Sequence, residues 1–336
     1  MSAGIIKSSP QDFIVEEHLS FPLSGEGEHA YLQIQKTGAN THWVARQLAR
    51  QLGCTLRDVG YAGLKDRHAV TTQWFSVPAR LVTDSALAKL HIEGVEILHA
   101  TRHRGKLRRG AIRANHFQIV IREVTVDETA LRDRISFIQQ TGVPNYFGEQ
   151  RFGHQRQNLL AVDAYFKNRT RIDKQKRSIY LSAARAWLFN HVLATRVEQH
   201  TWVTALEGDV FVLAGSKRFF SEETITAEII QRVAEGDIHP SGPLYGDGDN
   251  ISRAVVRDLE NDILQQWPAW LEGLKAARLK PDRRALRVIP ENLLYELDNQ
   301  RKTLTLRFDL PTGSYATGVI RELVDVSGGD LELADE

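Results

Sequence analysis

Residues 60–74 read GYAGLKDRHAVTTQW, and the rest of the chain is organised around this stretch. Glycines at 60 and 63 allow sharp bends in its first half, and the β-branched and aromatic residues of 70–77 predict a strand in its second half. Between the halves, Asp66 is flanked by the cations Lys65 and Arg67. Neighbouring positive charge favours a charged carboxylate, so this turn is suited to hold a nucleophile. On charge alone, a solvated surface turn is the simpler interpretation.

The hydrophobic pattern on both sides of this stretch predicts strands near the two ends of the chain and helices in the middle. Alternation predicts strands at 10–17, 29–36, 94–104, 115–124 and 303–309. Helical periodicity predicts helices at 41–52, where Asn40 or Thr41 is the cap and Gly53 the end, and at 127–141, 158–167, 178–200, 251–276 and 315–325. We therefore predict an α+β protein, with a sheet-based domain from residues 1–141 and 290–336 and a helix-rich insertion at 142–289.

Composition is typical of a globular protein with room for two domains, because the chain has 336 residues, of which 42% are hydrophobic and 25% charged. The single cysteine, Cys54, allows neither a disulfide nor a cysteine-based zinc site, which suits a reducing compartment. No apolar run has the length of a membrane span, and the first residues lack the pattern of a signal peptide. We expect a cytoplasmic protein that does not bind membranes.

Charge is unevenly distributed although the net charge is only +1. From Ile97 to Arg122 there is no Asp or Glu, and basic residues are frequent. Local positive strips favour phosphate contacts, although a solvated loop is the alternative. We predict that this basic strip contacts a nucleic-acid backbone through Arg102, Arg104, Lys106, Arg108 and Arg109.

The sequence of residues 60–74 resembles the motif that carries the catalytic aspartate in the TruD family of tRNA pseudouridine synthases. Four further stretches resemble that family in the expected order, so the resemblance runs nearly from end to end and is weakest between about residues 200 and 290. They are KSSPQDFIVEE (7–17), NHFQIVIR (115–122), NYFGEQRFG (145–153) and GSYATGVIREL (313–323). The resemblance implies a pseudouridine-synthase catalytic domain with a mixed, mainly antiparallel sheet flanked by helices. It also implies that residues 142–289 form an inserted helix-rich α+β domain, the TRUD domain.

The resemblance also implies roles for charged residues. Asp66 matches the catalytic aspartate. Lys7 and Arg321 match basic residues of the first and last motifs, and either is able to hold the Asp66 carboxylate.

The substrate-binding positions implied by the resemblance are mainly aromatic. Phe13, Asn115 and Tyr315 fall on positions that contact the target nucleotide, and Phe117 falls near the base. Where close relatives have phenylalanine, this chain has Tyr315. Tyrosine keeps the ring and adds a hydroxyl. From the hydrophobic pattern alone, Phe13 and Phe117 would be core residues.

The implied function is isomerisation of uridine 13 of tRNA, with tRNA as the partner and the protein acting as a monomer. Uracil leaves its ribose carbon, turns and rejoins through carbon 5, so no atom is gained and no electron exchanged. We therefore expect no cofactor, including no nucleotide cofactor, and no metal. The carboxylate either attacks the sugar carbon, adds to the base or assists loss of a ribose proton.

Two other classes stay open from the sequence. A non-catalytic RNA-binding or RNA-chaperone protein would not need Asp66 in an intact motif. A carboxylate-dependent nucleoside or glycoside hydrolase usually needs two working carboxylates, and the motif offers one. The products formed from tRNA discriminate among the three classes.

Overall fold

The computed structural model describes residues 3–168 and 172–327. The chain divides into two compact units. Unit 1 comprises Met1–Arg132, Glu291–Gly313 and Leu323–Glu336, and unit 2 comprises Asp133–Pro290 and Ser314–Glu322. The predicted functional boundaries at 141 and 290 stay a prediction. The compact units differ from them in that 133–141 and 314–322 belong to unit 2.

Strands are the main regular structure of unit 1 and a smaller part of unit 2. Numbered in chain order, they are β1 Ala3–Ile5, β2 Phe13–Leu19, β3 His29–Thr37, β4 Gly60–Tyr61, β5 Val70–Pro78, β6 Val95–His103, β7 Ile112–Arg122, β8 Val143–Pro144, β9 Val210–Leu213, β10 Phe219–Ser221, β11 Ile238–Leu244, β12 Asp282–Ala285, β13 Arg287–Val288, β14 Glu291–Asp298, β15 Thr303–Pro311 and β16 Asp325–Ser327.

Helices are concentrated in unit 2. The α-helices are α1 Thr41–Leu52, α2 Asp84–Lys89, α3 Glu128–Thr141, α4 Gln157–Asn168, α5 Lys174–Glu198, α6 Ala227–Glu235, α7 Ala254–Leu264, α8 Pro268–Ala276 and α9 Ala316–Arg321. Short 3-10 turns lie at Pro10–Asp12, Ala79–Leu81, Glu149–Phe152 and His154–Arg156. Over the described part of the chain, none of the helices combines the length and the apolar character needed to cross a membrane.

The sheet of unit 1 has ten strands, with the order β14-β15-β7-β2-β5-β3-β6 along its main path. Strands β2 and β5 pair in parallel, as do β1 and β16, and the other pairs are antiparallel. The mixed, mainly antiparallel α+β fold predicted from the sequence is therefore confirmed. The turn that contains Asp66 leads directly into β5, in the interior of the sheet.

Helix α1 covers part of this sheet. Its first residue follows Asn40, whose side chain accepts a hydrogen bond from the Trp43 amide over 2.7 Å. Its end is Gly53, in the left-handed conformation with φ 69°, where glycine lacks the steric penalty of other residues. Val44 and Leu48 are fully buried against the apolar residues of β3 and β5. Both predicted ends of this helix are correct.

Unit 2 combines helices with a four-stranded antiparallel sheet in the order β10-β9-β11-β12. The long helix α5 is its central element, and Leu181, Leu188 and Val192 bury their side chains in a cluster with residues of α4, α7 and α8. Strands β8 and β13 form a separate pair.

Two helix predictions were wrong in extent. Residues 251–276 form two helices and not one, because Pro268 has no amide hydrogen to continue a helix and instead begins α8. The predicted helix 315–325 covers only Ala316–Arg321, after which residues 325–327 form β16 and pair with β1.

Candidate active site

The Asp66 carboxylate lies in the turn between β4 and β5 and is held on both oxygens. Its Oδ2 forms an ion pair with the ammonium of Lys7. Its Oδ1 accepts a hydrogen bond from the His68 main-chain amide over 3.1 Å. The side chain of Asp66 is 16% exposed, whereas that of Lys7 is 5% exposed. The carboxylate therefore has Lys7 as a cationic partner and a small face open to other molecules.

Lys7 is held by the segment that precedes β2. Its backbone has φ 57°, a conformation uncommon for residues other than glycine. Its ammonium lies 4.7 Å from the centroid of the Phe13 ring. Nearby, the buried Asp12 carboxylate accepts hydrogen bonds from Arg122 Nε over 2.9 Å and from the Ser9 amide over 3.0 Å. The Arg122 hydrogen bond lowers the pKa of Asp12, so this ion pair fixes the segment that carries Lys7 to the sheet.

Lys36, the last buried residue of β3, holds the main chain of the turn through hydrogen bonds. Its Nζ donates to the main-chain oxygen of Asp66 over 2.9 Å and to that of Ala39 over 2.6 Å. Lys36 is only 1% exposed. Burial lowers its pKa to about 8, and the Asp66 charge acts in the opposite direction.

Lys65, the neighbour of Asp66, is directed to a different carboxylate. Its Nζ lies 3.0 Å from Oε2 of the buried Glu17 and donates to Asn115 Oδ1 over 2.7 Å. Its amide donates to the Thr41 hydroxyl over 2.9 Å. Burial raises the pKa of Glu17, and the charge of Lys65 lowers it. The sequence places Asp66 between two cations, but in the structure its cationic partner is Lys7.

Two of the predicted aromatic residues lie in the same part of the sheet. The register pairs Val15 with Phe117 and Glu17 with Asn115. Phe13 and Phe117 are 6% and 7% exposed, with centroids 6.2 Å apart in an edge-to-face arrangement. Direct contacts link Lys7 to Asp66 and Phe13, and Phe13 to Phe117. Asn115 contacts Lys65, the residue that precedes Asp66 in the chain. These five predicted site residues therefore lie around β2, β7 and the turn.

The other two predicted residues belong to unit 2, beside the stretch 145–153. The Tyr315 hydroxyl accepts a hydrogen bond from Arg151 Nη2 over 3.3 Å. A Cβ at Gly148 would lie 2.9 Å from Tyr315 Cδ1, so glycine is needed for this packing. Arg321 is exposed and lies 3.8 Å from Glu149 Oε1. The Tyr315 ring is therefore held in place by the motif stretch 145–153.

The five basic residues of the strip that we assign to the RNA backbone are exposed: Arg102, Arg104, Lys106, Arg108 and Arg109. Arg109 lies over the Tyr61 ring at 4.1 Å and donates to its hydroxyl over 2.8 Å. Arg104 forms an ion pair with Glu26, and the two side chains are 76% and 68% exposed. Residues 97–122 contain no Asp or Glu, but Glu26, from elsewhere in the chain, is paired with Arg104.

Sequence reasoning did not identify Lys36, Lys65, Glu17 or Arg151 as contributors to these arrangements. A signal was present for two of them. Lys36 has the same strand parity as the buried Leu32 and Ile34, and Glu17 the same parity as Phe13 and Val15. A charged residue on the buried face of a strand needs a partner, and so it marks a polar site.

A metal centre has no support in the residues described. Across 3–168 and 172–327, no group of three His, Cys, Asp or Glu side chains is placed to hold a metal ion.

Comparison with known proteins gives one consistent family. The family model "tRNA pseudouridine synthase D (TruD)" matches residues 2–169 and 159–323. The tRNA pseudouridine synthase D of Hydrogenovibrio crunogenus is 44% identical, over 97% of this chain and 94% of that protein. The one of Methylococcus capsulatus is 47% identical, over 96% and 91%. A crystal structure under the TruD name from Methanosarcina mazei aligns with a TM-score of 0.72 over 96% of this chain and 93% of that one; at 22% identity, it shows the fold.

Proposed function

Because the chain belongs to the tRNA pseudouridine synthase D (TruD) family, we propose that it isomerises uridine in tRNA to pseudouridine. The target is uridine 13, and Asp66 is the catalytic carboxylate. The observation that carries the proposal is the Lys7–Asp66 ion pair in the family's aspartate motif, with the same turn held through its main chain by Lys36. The protein acts as a cytoplasmic monomer without a cofactor.

The reaction breaks the bond between ribose carbon 1 and uracil N1 and forms a bond from the same carbon to uracil carbon 5. A proton leaves carbon 5, and N1 gains one. Asp66 assists cleavage of the first bond, either by attack on the sugar carbon, by addition to the base or by removal of a ribose proton. Each route needs a carboxylate in a fixed position, and Lys7 and the His68 amide supply that position.

Lys7 also places a positive charge next to the Asp66 carboxylate. Its ammonium is nearly excluded from water and lies against the same carboxylate that the reaction uses. In such an environment, an ion pair is stronger than at an exposed site. Lys7 therefore aligns the Asp66 carboxylate before the substrate arrives.

The target uridine must leave its base stack, which costs roughly a few kcal/mol. Aromatic faces and phosphate contacts offset this cost. Phe13, Phe117 and Tyr315 are the rings, and Asn115 the amide, that we assign to the nucleotide. Arg321 and the basic strip hold the phosphates. The exposure of the five basic residues of the strip supports this assignment.

The test is incubation of the full chain with an unmodified tRNA that has uridine at position 13, followed by mapping of pseudouridine at nucleotide resolution. We expect conversion at that position without added cofactor, and none in the same tRNA with cytidine there. Release of free uracil would identify a hydrolase instead. Tight binding with unchanged tRNA would identify a non-catalytic RNA-binding protein.

A further inference from the structure

One face of α5 borders a cavity of about 340 Å³ in unit 2 that the proposed chemistry does not use. The helix contributes charged and hydroxyl side chains at helical spacing, so they project to one side. The apolar wall comes from Phe147, Leu244 and Leu279, together with apolar residues of α5. The polar residues from α5 are Lys174, Arg177, Ser178, Ser182 and Arg185. We refer to this cavity as the α5 groove.

The groove is cationic. Among the described residues that line it, three are basic and none is acidic. The exposed Asp282 carboxylate acts on Arg185 electrostatically but is not part of the lining. A surface with one sign of charge and apolar walls concentrates its field and attracts ligands of the opposite sign.

Arg185 lines this groove and is anchored to the main chain. Its Nη2 donates to the main-chain oxygens of Leu244 over 2.6 Å and Lys280 over 3.1 Å. Its Nε is buried and has no hydrogen-bond partner in the described residues. The main-chain contacts fix the Arg185 guanidinium beside the groove, where its charge adds to that of Lys174 and Arg177.

A short chain of contacts joins the groove to Tyr315, within the same unit. Arg151 donates from Nη1 to Ser182 Oγ over 3.2 Å and from Nη2 to the Tyr315 hydroxyl over 3.3 Å. Phe147 lines the groove, and its ring centroid lies 6.4 Å from that of Tyr315. Only one side chain, that of Arg151 or of Phe147, therefore separates Tyr315 from the groove. An extended polymer in contact with Tyr315 is thus close enough to reach the groove.

We propose that the α5 groove binds the phosphodiester backbone of the RNA substrate, as a second anchoring surface beyond the basic strip of unit 1. The groove offers guanidinium and ammonium groups for phosphate oxygens and hydroxyls for further hydrogen bonds. The apolar wall accommodates ribose and base faces. The identity of the RNA as tRNA rests on the proposed function.

Matched double variants test this groove. Lys174→Glu with Ser178→Glu places two carboxylates on its lining. Gln175→Glu with Lys176→Glu makes the same change in net charge on the same helix, at exposed residues outside the lining. Both pairs lie near the start of α5, where acidic residues favour helix stability, so both variants should fold.

The measurement is the affinity of each full-length variant for unmodified tRNA across a salt series. We expect the groove variant to lose about tenfold or more in affinity near 0.1 M salt. The slope of log affinity against log salt should be shallower by about 0.7–0.9 for each phosphate that the variant no longer neutralises. The control pair should stay within about twofold of the wild type. Equal affinities and slopes for the two variants would overturn the proposal.

The outcome is separable from that of the proposed function. If the wild type forms pseudouridine and the two variants bind equally, the groove proposal alone is wrong. If the groove variant binds weakly and its control does not, but the wild type forms no pseudouridine, the groove stands and the reaction must be reassigned.

Discussion

The ammonium of Lys36 donates a hydrogen bond to the main-chain oxygen of Asp66 over 2.9 Å. The same residue is held twice, because Lys7 pairs with its carboxylate. Lys36 is nearly inaccessible to solvent, and burial of a charged amine is unfavourable without compensation. We interpret Lys36 as a positioning residue, which fixes the turn so that the carboxylate meets the substrate in one orientation.

A pH dependence of stability follows from this burial. The pKa of Lys36 is lowered to about 8 from an ordinary value of 10.5. Between these values, the unfolded chain binds the proton and the folded chain does not, so the contribution of Lys36 to stability increases with pH. The full interval corresponds to about 3 kcal/mol. Denaturant unfolding at pH 7 and 9.5 should show the wild type gaining stability relative to Lys36→Met.

The same variant separates positioning from packing. We expect Lys36→Met to lower kcat for pseudouridine formation more than it weakens tRNA affinity, because a misplaced turn affects geometry and not phosphate binding. A pH-independent stability difference between Lys36→Met and the wild type would contradict the assigned pKa.

Most local signals were interpreted correctly from the sequence, with one exception, and the non-local pairings were not predicted. The ends of α1 were predictable because Asn40 and Gly53 act on the adjacent backbone. The break between α7 and α8 was missed, although the cause, Pro268, is also local. The parallel pairing of β2 with β5 joins strands more than 50 residues apart, and no local pattern encodes it.

The candidate site shows the same division. Motif resemblance predicted Asp66 as the catalytic residue, but it left Lys7 and Arg321 as equal candidates for the partner of its carboxylate. The Lys7–Asp66 contact spans 59 residues of sequence, so only the folded chain could distinguish the two. Lys65 is adjacent to Asp66 in sequence, yet it faces Glu17 because the strand geometry directs it there.

Substitution of Phe117 by leucine tests stacking while an apolar side chain stays at this buried site. The swap removes only part of the volume of the ring, so it should cost less stability than the roughly 3–5 kcal/mol of truncation to alanine. Loss of a base-stacking ring should cost roughly 1–3 kcal/mol in substrate binding or turnover, measured as kcat/KM. Phe308→Leu is the matched control, because this ring stacks on Phe117 at 5.5 Å and is fully buried. Equal loss of kcat/KM in both variants would assign Phe117 to the core alone.

Charge reversal in the basic strip should weaken tRNA binding without unfolding the protein. Arg104→Glu with Arg108→Glu should lower affinity and make its salt dependence shallower by up to about one unit for each phosphate that is no longer neutralised. Arg50→Glu with Arg80→Glu carries the same charge change at exposed residues outside the strip. If both doubles bind tRNA alike, the strip is a solvated surface.

The ion pair of Arg104 with Glu26 adds a second measurement on the strip. Glu26→Gln removes the competing carboxylate and should strengthen tRNA binding slightly at low salt. Both partners are mostly exposed, so stability should hardly change.

Two substitutions of Tyr315 separate the effect of its ring from that of its hydroxyl. Tyr315→Phe removes one long hydrogen bond to Arg151, and we expect kcat/KM for tRNA to fall by no more than about tenfold. Tyr315→Leu removes the ring as well and should cost about 1–3 kcal/mol more. Equal losses in the two variants would show that the hydroxyl, and not the ring, is what the substrate requires.

Asp66 is the most direct test of the proposed chemistry. Asp66→Asn keeps the shape and removes the charge, so tRNA affinity should persist or increase slightly, since phosphate contacts dominate binding. Lys7 loses its anionic partner, which we expect to lower the melting temperature. Pseudouridine formation should vanish.

Asp66→Glu retains the charge and displaces it by one methylene. A shift on the order of 1 Å can reduce the rate by roughly 10²-fold where geometry is critical, so this variant should retain the ion pair with Lys7 but be badly impaired in turnover. A purely structural aspartate would behave differently: glutamate would preserve both stability and activity, and the activity lost with asparagine would match only the fraction of protein that this variant leaves unfolded. Melting temperature, tRNA affinity and pseudouridine yield for the two variants decide between these roles. Substantial pseudouridine formation by Asp66→Asn would rule out the carboxylate as the catalytic group.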